Sequence, residues 1–118
     1  LSHPVNAIYD QHHGLTNAVF MPYVLIKNKE AIEEKIILLS KFIDLPNYSF
    51  KSFIKWIIDI RSEFNIPHTS KEIGIDPKDL NRLSKMSLND PSTSGNPIPL
   101  TLADMKKLYR YSLDGKLF

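Results

Sequence analysis

"LTNAVFMPYVLI", residues 15–26, is apolar nearly all the way round when wound as a helix, and it carries a proline, Pro22, in its second half. A segment of this kind reads as a helix buried on most of its sides, bent or broken at the proline. It needs neighbours in several directions. Whatever the rest of the chain forms must be packed around it, and the rest of the chain reads as helix.

Immediately after it, "KEAIEEKIILLSKFI" (29–43) places Ile32, Ile36, Leu39 and Ile43 at helical spacing, with Glu30, Glu33 and Glu34 in the first half, where they favour the helix dipole. Ser49 caps a third helix, "FKSFIKWIIDIRSEF" (50–64), with Phe50, Phe53, Ile54, Ile57, Ile58 and Phe64 as a wide apolar stripe ending near Asn65, before Pro67. Asp76, Pro77 and Asp79 combine a cap, a first-turn proline and a first-turn acid, opening a helix whose buried side is Leu80, Leu83 and Met86. A last helix runs from Thr101, with Asp104 three residues on as a variant capping box, to Gly115. No stretch alternates at period two for long enough to make a sheet. The expected fold is an all-α bundle of about five helices.

With 118 residues, 42% hydrophobic and 24% charged, residues 1–118 are expected to form one domain around one core. The net charge of +2 is spread without blocks of one sign, which argues against a nucleic-acid or membrane-surface partner, both of which need concentrated positive potential. Cysteine is absent; this excludes disulfides, thiolate metal sites and cysteine nucleophiles, and agrees with a cytoplasmic location. No apolar run reaches the roughly 18 residues of a membrane span, and the first residues do not carry the charged-then-apolar pattern of a signal peptide. Leu1 rather than methionine stands first, so the chain is expected to be part of something longer.

Candidate chemistry concentrates in "HPVNAIYDQHHGLTNA" (3–18), which holds His3, His12 and His13. Histidine binds transition metals through a neutral ring nitrogen. The spacing by itself argues against a shared site: His3 and His13 are too far apart for one helical turn, and His12 and His13 point in different directions on a helix. A metal site and a set of ordinary polar residues near a terminus both remain open from the residues alone. Asp10 reads as a local hydrogen-bonding residue, His68 in "NIPHTS" as structural, and "DPSTSGNP" (90–97) as a turn rather than a ligand cradle. Gly-rich phosphate loops, a serine elbow and a helical HExxH are all missing.

Taken together, "LSHPVNAIYDQHHGLTNAVFMPYVL" (1–25) resembles the metal-binding segment of the iron-containing, or group III, alcohol dehydrogenases. That family carries H-x-x-x-H-P-x-G, followed ten residues after its second histidine by H-G-x-x-N-A and a proline-containing apolar run. His3-Pro4 matches the second histidine, and His13-Gly14-Leu15-Thr16-Asn17-Ala18 matches the later element at the same distance. The region from Phe64 to Leu113 is similar to the family's closing region, including its D-P and N-P-x-P-x-T elements, so the resemblance covers essentially the whole chain.

The resemblance implies the C-terminal helical domain of a dehydroquinate synthase-like, iron-dependent alcohol dehydrogenase fold, whose N-terminal α/β domain binds NAD(P). It implies an NAD(P)-linked interconversion of an alcohol with an aldehyde or ketone at iron or zinc held by one aspartate and three histidines. His13 maps onto the last of those ligands, and His3 onto a non-ligand histidine near substrate and nicotinamide, suited to relaying a proton. The other ligands would fall before Leu1, so the 118 residues alone are expected to be inactive and to hold metal weakly. Self-association through an uncovered apolar face is expected. A rival reading is a non-catalytic helical interaction module of the same descent. Two departures stand out: Asn6 replaces the usual glycine, with left-handed backbone angles expected to preserve a turn there, and His12 replaces a common proline and reads as a wall or surface residue.

Overall fold

All five predicted helices form in the computed structural model, which describes residues 1–118, and one further helix precedes them. The elements are α1 (Ser2–Tyr9), α2 (His13–Lys27), α3 (Lys29–Phe42), α4 (Phe50–Glu63), α5 (Leu80–Leu88) and α6 (Leu102–Asp114), with short 3-10 turns at Pro77–Asp79 and Pro91–Gly95 and no strand. As its all-round apolar pattern requires, α2 is the hub, packing against α1, α3, α4 and α6. Pro22 does not break it: the helix runs through, and the proline is buried. The one hydrogen bond that Pro22 cannot donate is outweighed by packing on several sides.

The core is not the single cluster expected. Val5, Val19, Phe20, Leu83, Tyr109 and their neighbours form one lobe among α1, α2, α5 and α6. Ile36, Leu45, Phe50, Phe53, Ile54 and Ile57 form a second between α3 and α4. Tyr23, Met105 and Leu108 form a smaller cluster between α2 and α6. The chain is correspondingly drawn out, with extents of 40 × 31 × 22 Å.

Local signals act largely as read. Ser49 Oγ accepts the Ser52 N–H, and Asp76 accepts that of Lys78 at 2.9 Å, although the latter cap opens a 3-10 turn and the α-helix proper starts at Leu80. Thr101 and Asp104 form a complete capping box. Lys27 Nζ donates to Asp104 at 2.6 Å, and with the Thr101 bonds it holds that carboxyl down at about 2. Gly115 ends α6 with φ +69°, where a Cβ would also lie 3.0 Å from the His68 ring. Phe64 departs from the prediction: it follows the end of α4, leaves the helical register and is 72% exposed. Between α4 and α5, the buried Arg61 guanidinium donates to the Pro67 and His68 carbonyls at 2.7 and 3.2 Å.

The unpredicted α1 has eight residues and no side-chain cap, too little to be stable alone. Tertiary contacts hold it. Val5 is fully buried. Tyr109 Oη donates to the Leu1 carbonyl at 2.7 Å and accepts from Ser87 Oγ at 2.7 Å. Tyr9 Oη donates to Asp79 and accepts the Asp76 N–H at 3.1 Å, and Gln11 Nε2 donates to the Ile73 carbonyl at 2.6 Å. Ser84, Ser87 and Ser112, all fully buried, keep α5 and α6 slim enough for this packing, and Ser84 returns its hydroxyl proton to the Leu80 carbonyl.

Tyr109→Phe keeps the ring and removes only the hydroxyl, leaving Ser87 and the Leu1 carbonyl without their partner. It is expected to lower unfolding stability by about 1–3 kcal/mol in chemical denaturation, and to raise amide exchange selectively in residues 2–9.

Candidate functional site

The site is built on the α1–α2 hairpin. Asp10 takes a left-handed conformation, φ 51°, closing α1 with its N–H on the Asn6 carbonyl at 3.1 Å. An aspartate tolerates this region better than most residues. The chain then turns back through Gln11 and His12 into α2. Because α1 and α2 pack side by side, His3 and His13 come together: their rings stack with centroids 5.4 Å apart and 17° between planes. The two rings are neighbours although ten positions apart in sequence, because the spacing argument assumed one helix where there are two.

His3 Nδ1 donates to Asp90 Oδ2 at 2.9 Å. The ionised carboxylate can only accept, so this bond leaves Nε2 of a neutral ring with a free lone pair. The other oxygen of Asp90 accepts from the Ser92 N–H at 2.8 Å and from the Ser92 hydroxyl. The Ser92 bonds first, and His3 after them, pull the Asp90 carboxyl down to about 2. The loop is itself fastened to the hub: the Asn28 and Asn96 side-chain amides pair reciprocally at 2.8 Å in both directions. Residues 90–97 are thus a turn, as predicted, whose capping aspartate also orients a histidine 87 positions earlier.

His13 is the first residue of α2. Its Nδ1 lies 2.8 Å from the side-chain amide of Asn6, and its Nε2 lies 3.2 Å from that of Asn17. The Asn6 amide also lies 2.8 Å from Thr16 Oγ1, which in turn reaches the His12 carbonyl at 2.9 Å. Asn6 is therefore not at a turn. It has ordinary helical angles inside α1, and positive φ among non-glycine residues occurs only at Asp10, Asp44 and Asn65. Its side chain, rather than its backbone freedom, is what the position uses. His12 is the exposed N-cap of α2, with its ring against Gly14, where a Cβ would stand 3.3 Å from it. The fourth histidine lies elsewhere, its Nε2 donating to the Gly115 carbonyl at 3.0 Å.

Asp90, Asn6 and Thr16 are the site residues that sequence reasoning missed. Thr16 gave one usable signal: a polar side chain within a largely apolar run, here completely buried, must find a partner. Asp90 gave none, because its partner lies at the other end of the chain. No three histidine, aspartate or glutamate side chains converge in a metal-holding arrangement. A cavity of about 220 Å³ between α2 and α6 is lined by Tyr23, Lys27, Asp104 and Tyr111 among others, but its carboxylate is already engaged by Lys27 and the α6 cap. The histidine pair is the better candidate.

A family model described as "Fe-containing alcohol dehydrogenase family, C-terminal" matches residues 1–113. Lactaldehyde reductase of Escherichia coli is 25% identical over 115 residues, covering 92% of this chain and 30% of that protein. The NADPH-dependent butanol dehydrogenase of Clostridium saccharobutylicum is 28% identical over 117 residues, with coverages of 92% and 30%. The crystal structure of a 1,3-propanediol oxidoreductase superposes with a TM-score of 0.87 over 95% of this chain and 31% of its own, at 23% identity, which shows a shared fold. The chain spans about 30% of the length of these curated relatives.

The Asp90 carboxyl should titrate near 2 by carbon-detected NMR. Ser92→Ala is expected to raise that midpoint more than His3→Ala does, since both remove bonds to the ionised form and the Ser92 hydroxyl is the larger contributor. The pairing is thus intact above about pH 4, the ordinary carboxyl range, and is lost as the pH falls through 2.

Proposed function

The chain belongs to the Fe-containing alcohol dehydrogenase family, as a C-terminal region of it, and from that premise we propose that its histidine surface is one wall of a metal-dependent, NAD(P)-linked centre interconverting an alcohol with an aldehyde or ketone. The observation that carries the reading is the stacked His3–His13 pair, each ring oriented by a different partner, Asp90 for one and Asn6 for the other.

The residues fit a divalent transition metal as part of its shell. His13 offers an imidazole at the surface, of the donor type that suits iron(II) or zinc(II). The remaining ligands would come from outside these 118 residues. So would the dinucleotide site, since the structure has no strand to lead into a phosphate-binding turn. When bound, the metal supplies Lewis acidity toward the alcohol or carbonyl oxygen, and NAD(P) supplies the hydride acceptor or donor.

The chain's own part is orientation and proton handling. In the oxidation direction, His3 Nε2 accepts the hydroxyl proton as the hydride leaves the carbinol carbon, and the alcohol becomes a carbonyl compound. Asp90 keeps the ring in register through Nδ1 and stabilises the imidazolium formed. In reduction, His3 returns that proton to the oxygen. The side chain of His3 is 56% exposed, so the proton can pass on to solvent.

The 118-residue chain alone is expected to give no NAD(P)-dependent alcohol oxidation above background and to lose iron on dialysis; robust turnover would sink the reading. In a chain that carries the remaining ligands, His13→Ala should empty the site of metal. His3→Gln should keep the metal and lower kcat about 100-fold or more, with a changed pH profile.

An apolar face on α3 supports self-association of the 118 residues: Leu38 and Phe42, one turn apart, are 69% and 88% exposed, and exposed apolar patches mark interaction surfaces. Sedimentation over a concentration series should show self-association, relieved by Leu38→Glu with Phe42→Glu. A monomer at every concentration excludes that use of the face.

A further inference from the structure

We infer that Asn6 is a positioning residue that fixes the tautomer of His13, placing the proton on Nδ1 and leaving the Nε2 lone pair available to a divalent cation. The inference rests on the reading of His13 as a metal ligand and adds a residue to it.

The argument is one of proton counting. Four heavy-atom contacts link the group: Asn6 Nδ2 to His13 Nδ1 at 2.8 Å, Thr16 Oγ1 to Asn6 Oδ1 at 2.8 Å, Thr16 Oγ1 to the His12 carbonyl at 2.9 Å, and Asn17 Nδ2 to His13 Nε2 at 3.2 Å. The two ends of an amide are told apart only by such a network. With the Asn6 nitrogen toward His13, Nδ1 must accept and Nε2 must carry the proton of a neutral ring. That proton then faces the Asn17 NH2, another donor, and the single Thr16 hydrogen is wanted by two acceptors, Asn6 Oδ1 and the His12 carbonyl. Turning the exposed Asn17 amide end for end relieves the first conflict, but the shared Thr16 hydrogen still leaves one of the four contacts unmade.

With the two ends of the Asn6 amide exchanged, so that its oxygen faces His13 in place of its nitrogen, all four are satisfied at once. His13 Nδ1 donates to Asn6 Oδ1. Asn6 Nδ2 donates to Thr16 Oγ1, Thr16 donates to the His12 carbonyl, and Asn17 Nδ2 donates to His13 Nε2. Thr16 is completely buried, so its hydroxyl is held to these partners, and the orientation of Asn6 is set from beneath. Asn17 is exposed and its bond is the longest of the four, so it yields readily to a cation. A histidine that donates one ring N–H to a fixed acceptor while ligating through the other nitrogen is the arrangement that orients metal-binding imidazoles.

Long-range nitrogen–proton NMR of the 118-residue chain, without metal and in alkaline buffer where imidazoles are neutral, reads the tautomer directly. His13 should be the Nδ1–H form in the wild type. It should shift toward Nε2–H in Asn6→Ala, and return to Nδ1–H in Asn6→Asp, which keeps the acceptor. An Nε2–H wild type, or an Asn6→Ala chain that remains Nδ1–H, overturns the inference. Zinc(II) is then added. Asn6→Ala should need about tenfold more zinc(II) to move the His13 signals than the wild type does, with Asn6→Asp restoring the response. If the tautomers behave as stated but zinc(II) moves His13 no more than it moves His12, the assignment of His13 as a ligand fails while the role of Asn6 stands.

Discussion

The docking of α1 against α5 and against the Tyr109 side chain of α6 is the constraint on which the site depends. An eight-residue helix with no side-chain cap does not persist on its own, yet this one carries His3 and Asn6. It is held by a buried valine at its middle, by the Tyr109 hydroxyl at its start and by Tyr9 at its end. Tyr109 is central because its ring packs edge-on against Phe20 of the hub helix while its hydroxyl reaches both Ser87 and the Leu1 carbonyl. Burial in apolar surroundings raises its pKa above the ordinary phenol range, so the hydroxyl stays a neutral donor. One side chain thus joins α1, α2, α5 and α6.

Fold and site use the same contacts. The loop after α5 is fastened at one end by the Asn28–Asn96 amide pair, and at the other end Asp90 both caps a 3-10 turn and orients His3. On α2, Thr16 ties the buried face to Asn6 and so to His13. Each histidine of the pair is therefore held by a side chain that is itself fixed by a further hydrogen bond, Asp90 by Ser92 and Asn6 by Thr16. This is what an orienting shell requires. The α3–α4 lobe takes no part in it and keeps its own small core, which leaves its outer apolar face free of any role in the histidine surface.

Much of the fold was legible from residues 15–26 and the capping signals alone. An apolar run with no clean polar face had to be a hub, and Ser49, Asp76 and Thr101 each began an element where expected. The departures share a cause. Helix α1, the unbroken passage through Pro22, the exposed Phe64 and the division of the core all depend on which surface lies opposite, and periodicity carries no record of that. Asn6 shows the same limit within the site: weighed as a backbone replacement for glycine it suggested a turn, whereas its role lies in two side-chain hydrogen bonds to the neighbouring helix.

By itself the sequence determined the all-α class, the helix starts, the central place of α2 and the motif that ties His3 and His13 to a family, because these rest on local spacing and residue type. Only the tertiary structure decided that the two histidines stack, that Asp90 reaches across 87 positions to one of them, and that Asn6 and Thr16 stand behind the other. Those are contacts between elements separated in the chain. They become available only after hydrophobic burial has chosen which helices lie side by side, and no local pattern specifies that choice.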